Sequence, residues 1–439
     1  MAENKETASH SAEIYGTPAY RRSRRAYTLE CAFEYFSTLL VGGAFLAKLL
    51  GAIGLDDALI GVVSSLISLA FLFQLVSVFL VQRIANTKRF VAWIHTVGQL
   101  LFAFLYLIPF LPVALPYRKV LVFASVLLAY FGNYFVTSML YKWCNSFVDP
   151  NERGRFSATK EMISLLGGMV MTLVLGYAMD AFEAADNLRG GFLFAAGAIL
   201  IFTVSDLVCL LLIKRDVTAK ETEQAKPPMR EVLRNTLGNK NFRHIIVLTV
   251  LWDVARYTTI GFLGIYYISD LMFAVGTVQI INIVGNIGRV LFSRAFGAYA
   301  DKYTFAKGIE LAMCLAAVAF AFQVCTVPAT RWLIIGYSLF YHVSQAGIVS
   351  NMQGIVYSYV DSEYFVQASA IKNSIGGVAG FLSALLAGRL LSAVQDGGNR
   401  LFGMTVYGQQ VLAAISLLLV IAAILYNHLV ITRQRVMKQ

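Results

Sequence analysis

Two carboxylates, Glu30 and Glu34, stand one helical turn apart in the stretch LECAFEYF, inside a run that otherwise reads as a membrane span. An ionisable group at bilayer depth costs ~2.5–3.5 kcal/mol on insertion scales, so a pair of them needs a protein-lined or watered setting. Exchange of protons is the chemistry such a pair offers. Ser37 and Thr38 continue roughly the same face, which turns this polar stripe inward. The stretch LWDVARYT at 251–258 aligns with LECAFEYF and sets Arg256 opposite Glu34 and Tyr257 opposite Tyr35. A protonatable Glu34 partnered by Arg256 is therefore expected, with Glu30 and Asp253 as neighbouring proton-coupling groups. The alternative is an ion pair that only holds two helices in register.

A second set of residues offers recognition instead of proton transfer. VQIINIVGNIGRVLFS presents Gln279, Asn282, Asn286, Arg289 and Ser293 within a narrow angular sector. Such a stripe cannot face lipid, and its counterpart in the first half of the chain has mostly apolar residues or serines. A polar face on one half alone suits the reading of a solute. Tyr341, His342 and Gln345 follow in a later segment beside Tyr337, Ser344 and Asn351, and Asn133 and Tyr134 lie in an earlier one beside Tyr130 and Thr137. Arg256 and Arg289 supply planar, forked donors that match a carboxylate or phosphate. The expected solute is a small polar or anionic organic molecule.

The elements that must position these residues are apolar helices. Of 439 residues 58% are hydrophobic and only 14% charged, and the mean hydropathy is +0.66. A spanning helix needs ~20 mostly apolar residues, and twelve such segments are expected near 27–50, 58–82, 90–112, 119–146, 156–180, 190–213, 244–270, 276–297, 305–327, 331–358, 368–392 and 407–431. In lipid these must be helices. The five cysteines fall inside apolar segments with no metal-type spacing. No phosphate-binding loop, HExxH motif or Ser-His-Asp arrangement is present, so no enzyme, cofactor or metal site is expected.

The net charge of +11 follows topology and does not call for nucleic acid. Arg21, Arg22, Arg24 and Arg25 precede the first segment, Arg153 and Arg155 follow the fourth, and Lys214 to Lys240 fill the middle loop. Alternate connections carry fewer cations, which puts both termini and the central loop in the cytoplasm of a plasma (inner) membrane protein. Nothing in the N-terminal tail reads as a cleavable signal. The expected division is a tail at 1–26, a six-helix bundle at 27–213, a linker at 214–241, a second bundle at 242–431 and a tail at 432–439. FVDPNERGRFSATKE at 147–161 matches YVDSEYFVQASAIKN at 359–373, 212 residues on, and each copy leads to a glycine pair, Gly167-Gly168 or Gly376-Gly377. Small residues there allow close helix approach.

GAYADKYTFAKGI at 297–309 resembles the cytoplasmic signature loop of the major facilitator superfamily, and DPNERGRF at 149–156 looks like the Arg-Gly loop of many bacterial members. The resemblance implies an all-α membrane protein with twelve helices in two six-helix bundles related by a pseudo-two-fold axis. It also implies a secondary transporter working by alternating access, with Asp301, Lys302, Arg153 and Arg155 as a cytoplasmic latch. Partners are then a small solute, protons and the bilayer, and the chain is expected to be a monomer. A multidrug/proton antiporter exporting cationic amphiphiles is a rival, although SLLGGMVMTLVLGY at 164–177 lacks the proline that many such antiporters carry in span five. A non-transporting receptor or scaffold on the same fold is another.

Overall fold

The computed structural model describes residues 16–80, 87–149, 153–214, 229–360, 364–401 and 404–433. Nearly all of them are helical, as backbone groups in lipid require. The first half of the chain contains α1 (Pro18–Leu40), α2 (Gly43–Ile53), α3 (Asp57–Ser64), α4 (Leu66–Leu80), α5 (Thr87–Leu105), α6 (Leu115–Phe147), α7 (Arg153–Ala184) and α8 (Leu188–Leu212). After α9 (Met229–Gly238), the second half contains α10 (Lys240–Tyr257), α11 (Ile260–Ile265), α12 (Val275–Lys302), α13 (Phe305–Val324), α14 (Ile334–Tyr357), α15 (Phe365–Asp396) and α16 (Gly408–Tyr426). A two-residue antiparallel ribbon, β1 (Arg400–Leu401) and β2 (Met404–Thr405), joins α15 to α16.

Among the described residues nine helices are long and apolar enough to cross a membrane, or ten if α1 and α2 count as one span. The segments expected at 58–82 and 90–112 fall on α3 with α4 and on α5, which do not meet those criteria. Length and apolarity alone therefore do not reach the expected count of twelve.

Three expected spans are broken, and each break has a local cause. Between α1 and α2, Gly42 is extended (φ −143°) and Gly43 takes φ +53°. A side chain in that left-handed region costs roughly 1–2 kcal/mol, so glycine suits the joint. Between α3 and α4, the Ser65 hydroxyl donates back to Gly61 O at 2.9 Å. Between α10 and α11, Thr258 and Thr259 donate back to Val254 O at 2.7 Å and Arg256 O at 3.3 Å. Such side-chain bonds compete with the helical ladder.

Residue contacts gather the chain into two compact units, Met1–Val41 with Val76–Lys226 and Gly42–Leu75 with Pro227–Gln439. The segment Gly42–Leu75, which the sequence division assigns to the first bundle, packs within the second unit. In the first unit α1 packs on α7 and α8, and α5 on α6 and α8. Lipid tails are as apolar as leucine, so close fit decides which helices meet. A Cβ on Gly132 would lie 2.9 Å from Ile94 O, and one on Gly98 would lie 3.0 Å from Ala129 O, so these glycines seat α5 directly on the α6 backbone.

In the second unit α10 packs on α15, α12 and α13 pack on α14, and α2 and α3 pack on α11. Glycines again make the close contacts. A Cβ on Gly264 would meet the Gly43 carbonyl, one on Gly261 would meet Ser65 and the Gly61 carbonyl, and one on Gly61 would meet the Phe262 ring. The internal repeat is visible in the same terms. Gly168 of α7 abuts Tyr35 of α1, and Gly380 of α15, 212 residues further on, abuts Tyr257 of α10. The structural counterpart of Gly168 is thus Gly380, whereas Gly376 and Gly377 abut Asp253 and the Ser68 carbonyl.

Candidate functional site

Each unit buries its own cluster of ionisable side chains. In the first unit, α1 contributes Glu30, fully buried, and Glu34, 29% exposed; α5 contributes His95 and α8 contributes Asp206, both buried. His95 Nδ1 donates to Asp206 Oδ2 at 2.8 Å, which turns its other nitrogen away from Asp206. That nitrogen, Nε2, lies 3.8 Å from Glu34 Oε1. The Cys31 thiol donates to Glu30 Oε2 at 3.2 Å. The Gly98–Gly132 contact fixes α5 one turn beyond His95, and there Gln99 Nε2 reaches Asn133 Oδ1 at 3.5 Å. Tyr134 is half-buried and its ring lies 6.4 Å from that of Tyr130.

In the second unit, Arg256 Nη2 pairs with Asp253 Oδ1 at 3.2 Å, one turn back on α10. The guanidinium also stacks over the Tyr257 ring at 4.4 Å, a cation–π contact. Lys372 of α15 is buried and lies within electrostatic reach of Asp253. Gly376, one turn further along α15, leaves room for the Asp253 carboxylate. Tyr341 of α14 is buried within range of the charges on Arg256, Asp253 and Arg289.

The polar stripe of α12 is only partly interior. Gln279 is buried, Asn282, Asn286 and Arg289 are half-buried, and Ser293 is exposed. His342 binds the Ser338 carbonyl through Nδ1 at 2.7 Å and packs on Gly285, so it locks α14 to α12. Gln345 is buried, and its Nε2 has no hydrogen-bond partner among the described residues. Asp301 and Lys302 are exposed at the end of α12, and Lys302 and Lys307 both stack on the Tyr303 ring. Arg155 is exposed, and the side chain of Arg153, along with residues 150–152, lies outside what the structure describes.

Within the first unit, then, Glu34 lies near His95, and within the second Arg256 pairs with Asp253. Sequence reading did not include Asp206, Lys372 or His95 among the site residues. Lys372 had a signal, since it is the lysine shared by the two repeat copies and it falls within an expected apolar segment.

The family model described as Major Facilitator Superfamily matches residues 31–384. The chain belongs to the major facilitator superfamily. No curated protein sequence matches it. Among solved structures it is similar to a mutant of the nucleoside transporter NupG, with TM-score 0.69 and 15% identity over 95% of this chain and 100% of that one. It is also similar to a bacterial homologue of the human lysosomal transporter Spinster, in an inward-facing and unoccupied conformation, with TM-score 0.68 and 12% identity over 94% and 97% of the two chains. A POT family transporter in complex with 5-aminolevulinic acid gives TM-score 0.68 and 14% identity over 94% and 97%. At these identities the likeness shows the fold alone. As a superfamily member the chain is a multi-pass membrane transporter and not an enzyme.

Proposed function

We propose that this transporter moves a small polar or anionic organic solute by alternating access and couples that movement to protons. The observation that carries the reading is the buried group in the second unit, where Arg256 and Lys372 both act on the single carboxylate of Asp253. Both cations are donors that an anionic solute could engage, and a cationic amphiphile would meet them as like charge.

Proton coupling follows from the same group. An anion that takes the forked donors of Arg256 draws them from Asp253, and a proton on Asp253 replaces the lost counter-charge. The groups facing Asp253 are Arg256 and Tyr257 on its own helix, Lys372 on α15 and Tyr341 on α14. Solute and proton then bind together, and by reciprocity acid strengthens solute binding.

A thermal-shift screen of the purified chain against metabolite classes identifies the solute, because a ligand raises stability by RT ln(1 + [L]/Kd). In proteoliposomes, Asp253→Asn is expected to abolish accumulation driven by a pH gradient while solute exchange persists. Accumulation at the wild-type level by that variant would remove Asp253 from the coupling role.

The proposed orientation places both termini and the middle loop in the cytoplasm of the plasma (inner) membrane, with the chain as a monomer. Reporters fused after Gln439 and within 218–228 should both report cytoplasm. An extracytoplasmic signal at either point would overturn it.

A further inference from the structure

We propose that Glu30, Glu34 and His95 form a binding site for one first-row divalent transition-metal ion, of the class of Zn²⁺, Mn²⁺ and Co²⁺. One donor atom from each of the three side chains lies within 4.8 Å of the others. The separation of His95 Nε2 from Glu34 Oε1, 3.8 Å, is too long for a hydrogen bond. It is close to what two ligands on one ion adopt, since metal–ligand bonds of ~2.0–2.2 Å leave neighbouring ligand atoms roughly 3–4 Å apart.

The orphaned atoms point the same way. His95 Nε2 and Glu30 Oε1 are buried and have no hydrogen-bond partner among the described residues. A buried polar atom without a partner costs about 1–3 kcal/mol, and both of these belong to side chains that are fully buried. Behind them, Asp206 Oδ2 holds the opposite ring nitrogen of His95 at 2.8 Å. This carboxylate–histidine pairing is the usual support of a ligating imidazole: it fixes the tautomer and presents Nε2 as an electron-pair donor.

Charge supplies the remaining argument. Glu30, Glu34 and Asp206 together bring three carboxylates, and among the described residues none of them pairs with a lysine or arginine. One imidazole stands against three carboxylates, two of them buried and Glu34 partly exposed. A divalent ion at the three donor atoms would reduce the imbalance and satisfy both orphaned atoms at once. The mixed nitrogen and oxygen donor set favours a transition metal over Ca²⁺ or Mg²⁺, which prefer oxygen ligands alone. The inference goes beyond the transport reading and does not rest on it, because the solute group lies on α10, α14 and α15. Protons and metal would compete for the same oxygen and nitrogen atoms, so acid should expel the ion.

The test uses the full-length chain in detergent, with any affinity tag removed and bound metal stripped by a chelator. Titration with CoCl₂, followed by its visible d–d absorption and by calorimetry, should show one Co²⁺ per chain, displaced by Zn²⁺. Glu34→Gln and His95→Gln should each abolish saturable binding. Asp206→Asn, which removes only the support of His95, should weaken it about 10- to 100-fold. Thermal unfolding checks that each variant is folded, and if His95→Gln is not, the partly exposed Glu34 carries the test. Absence of Co²⁺ binding by the wild type at millimolar metal would overturn the proposal. Binding left undiminished by both Glu34→Gln and Asp206→Asn would overturn it equally, by placing the metal elsewhere.

Discussion

Arg256→Ala is expected to weaken binding of the proposed anionic solute by about 30-fold to several thousand-fold, the range for truncating one partner of a largely buried, hydrogen-bonded charge pair at ~2–5 kcal/mol. Arg256 has three engagements that a smaller side chain cannot reproduce: charge, the bond to Asp253 and the stacking on Tyr257. The fold should survive, because Lys372 remains to counter Asp253. Arg256→Lys separates charge from shape. It keeps the cation but not the planar fork, so binding should fall about tenfold, between wild type and alanine. Equilibrium binding of the solute found by thermal shift makes the measurement. If both variants bind like wild type, Arg256 serves only the helix packing.

Gly261→Val is expected to prevent α3 from seating on α11 and to stall transport. A side chain at 261 would run into the Gly61 carbonyl and Ser65, and backbone has little freedom to move aside. Overpacking of this kind costs about 1–3 kcal/mol. If transport proceeds by the proposed alternation between arrangements, the same amount shifts their populations roughly 5- to 150-fold toward those in which α3 and α11 have parted. A cysteine at Val62, which is buried and packs beside Gly388 of α15, reports the separation. With Gly261→Val in the background its alkylation should speed up while uptake falls. Unchanged alkylation together with normal uptake would show that this contact does not take part in the cycle.

Much of the helical architecture is legible in the sequence, because apolar length is a local property. The close approach of α7 to α1 and of α15 to α10 is likewise readable from glycines and a repeated motif. Pairing across helices is not. His95 and Asp206 are 111 residues apart, each alone in an apolar segment, and no periodicity within either segment shows that they meet. The expected opposition of Glu34 and Arg256 rests on aligning the two halves, whereas the nearest partners within each unit come from helix packing that alignment does not encode. The breaks were also hidden: VGG at 41–43 and TT at 258–259 are mild signals, since glycine and threonine both occur inside membrane helices.

The joint at Val41–Gly42 has a mechanical meaning. α1 carries Glu30 and Glu34 in one unit, α2 lies against α11 in the other, and only two non-helical residues join them. Two residues of extended chain reach ~7 Å at most, so the tether has almost no slack. Any displacement of α1 along its own axis beyond that reach must drag α2 with it. Span one thus carries ionisable side chains on α1 in one unit and a glycine contact with α11 on α2 in the other.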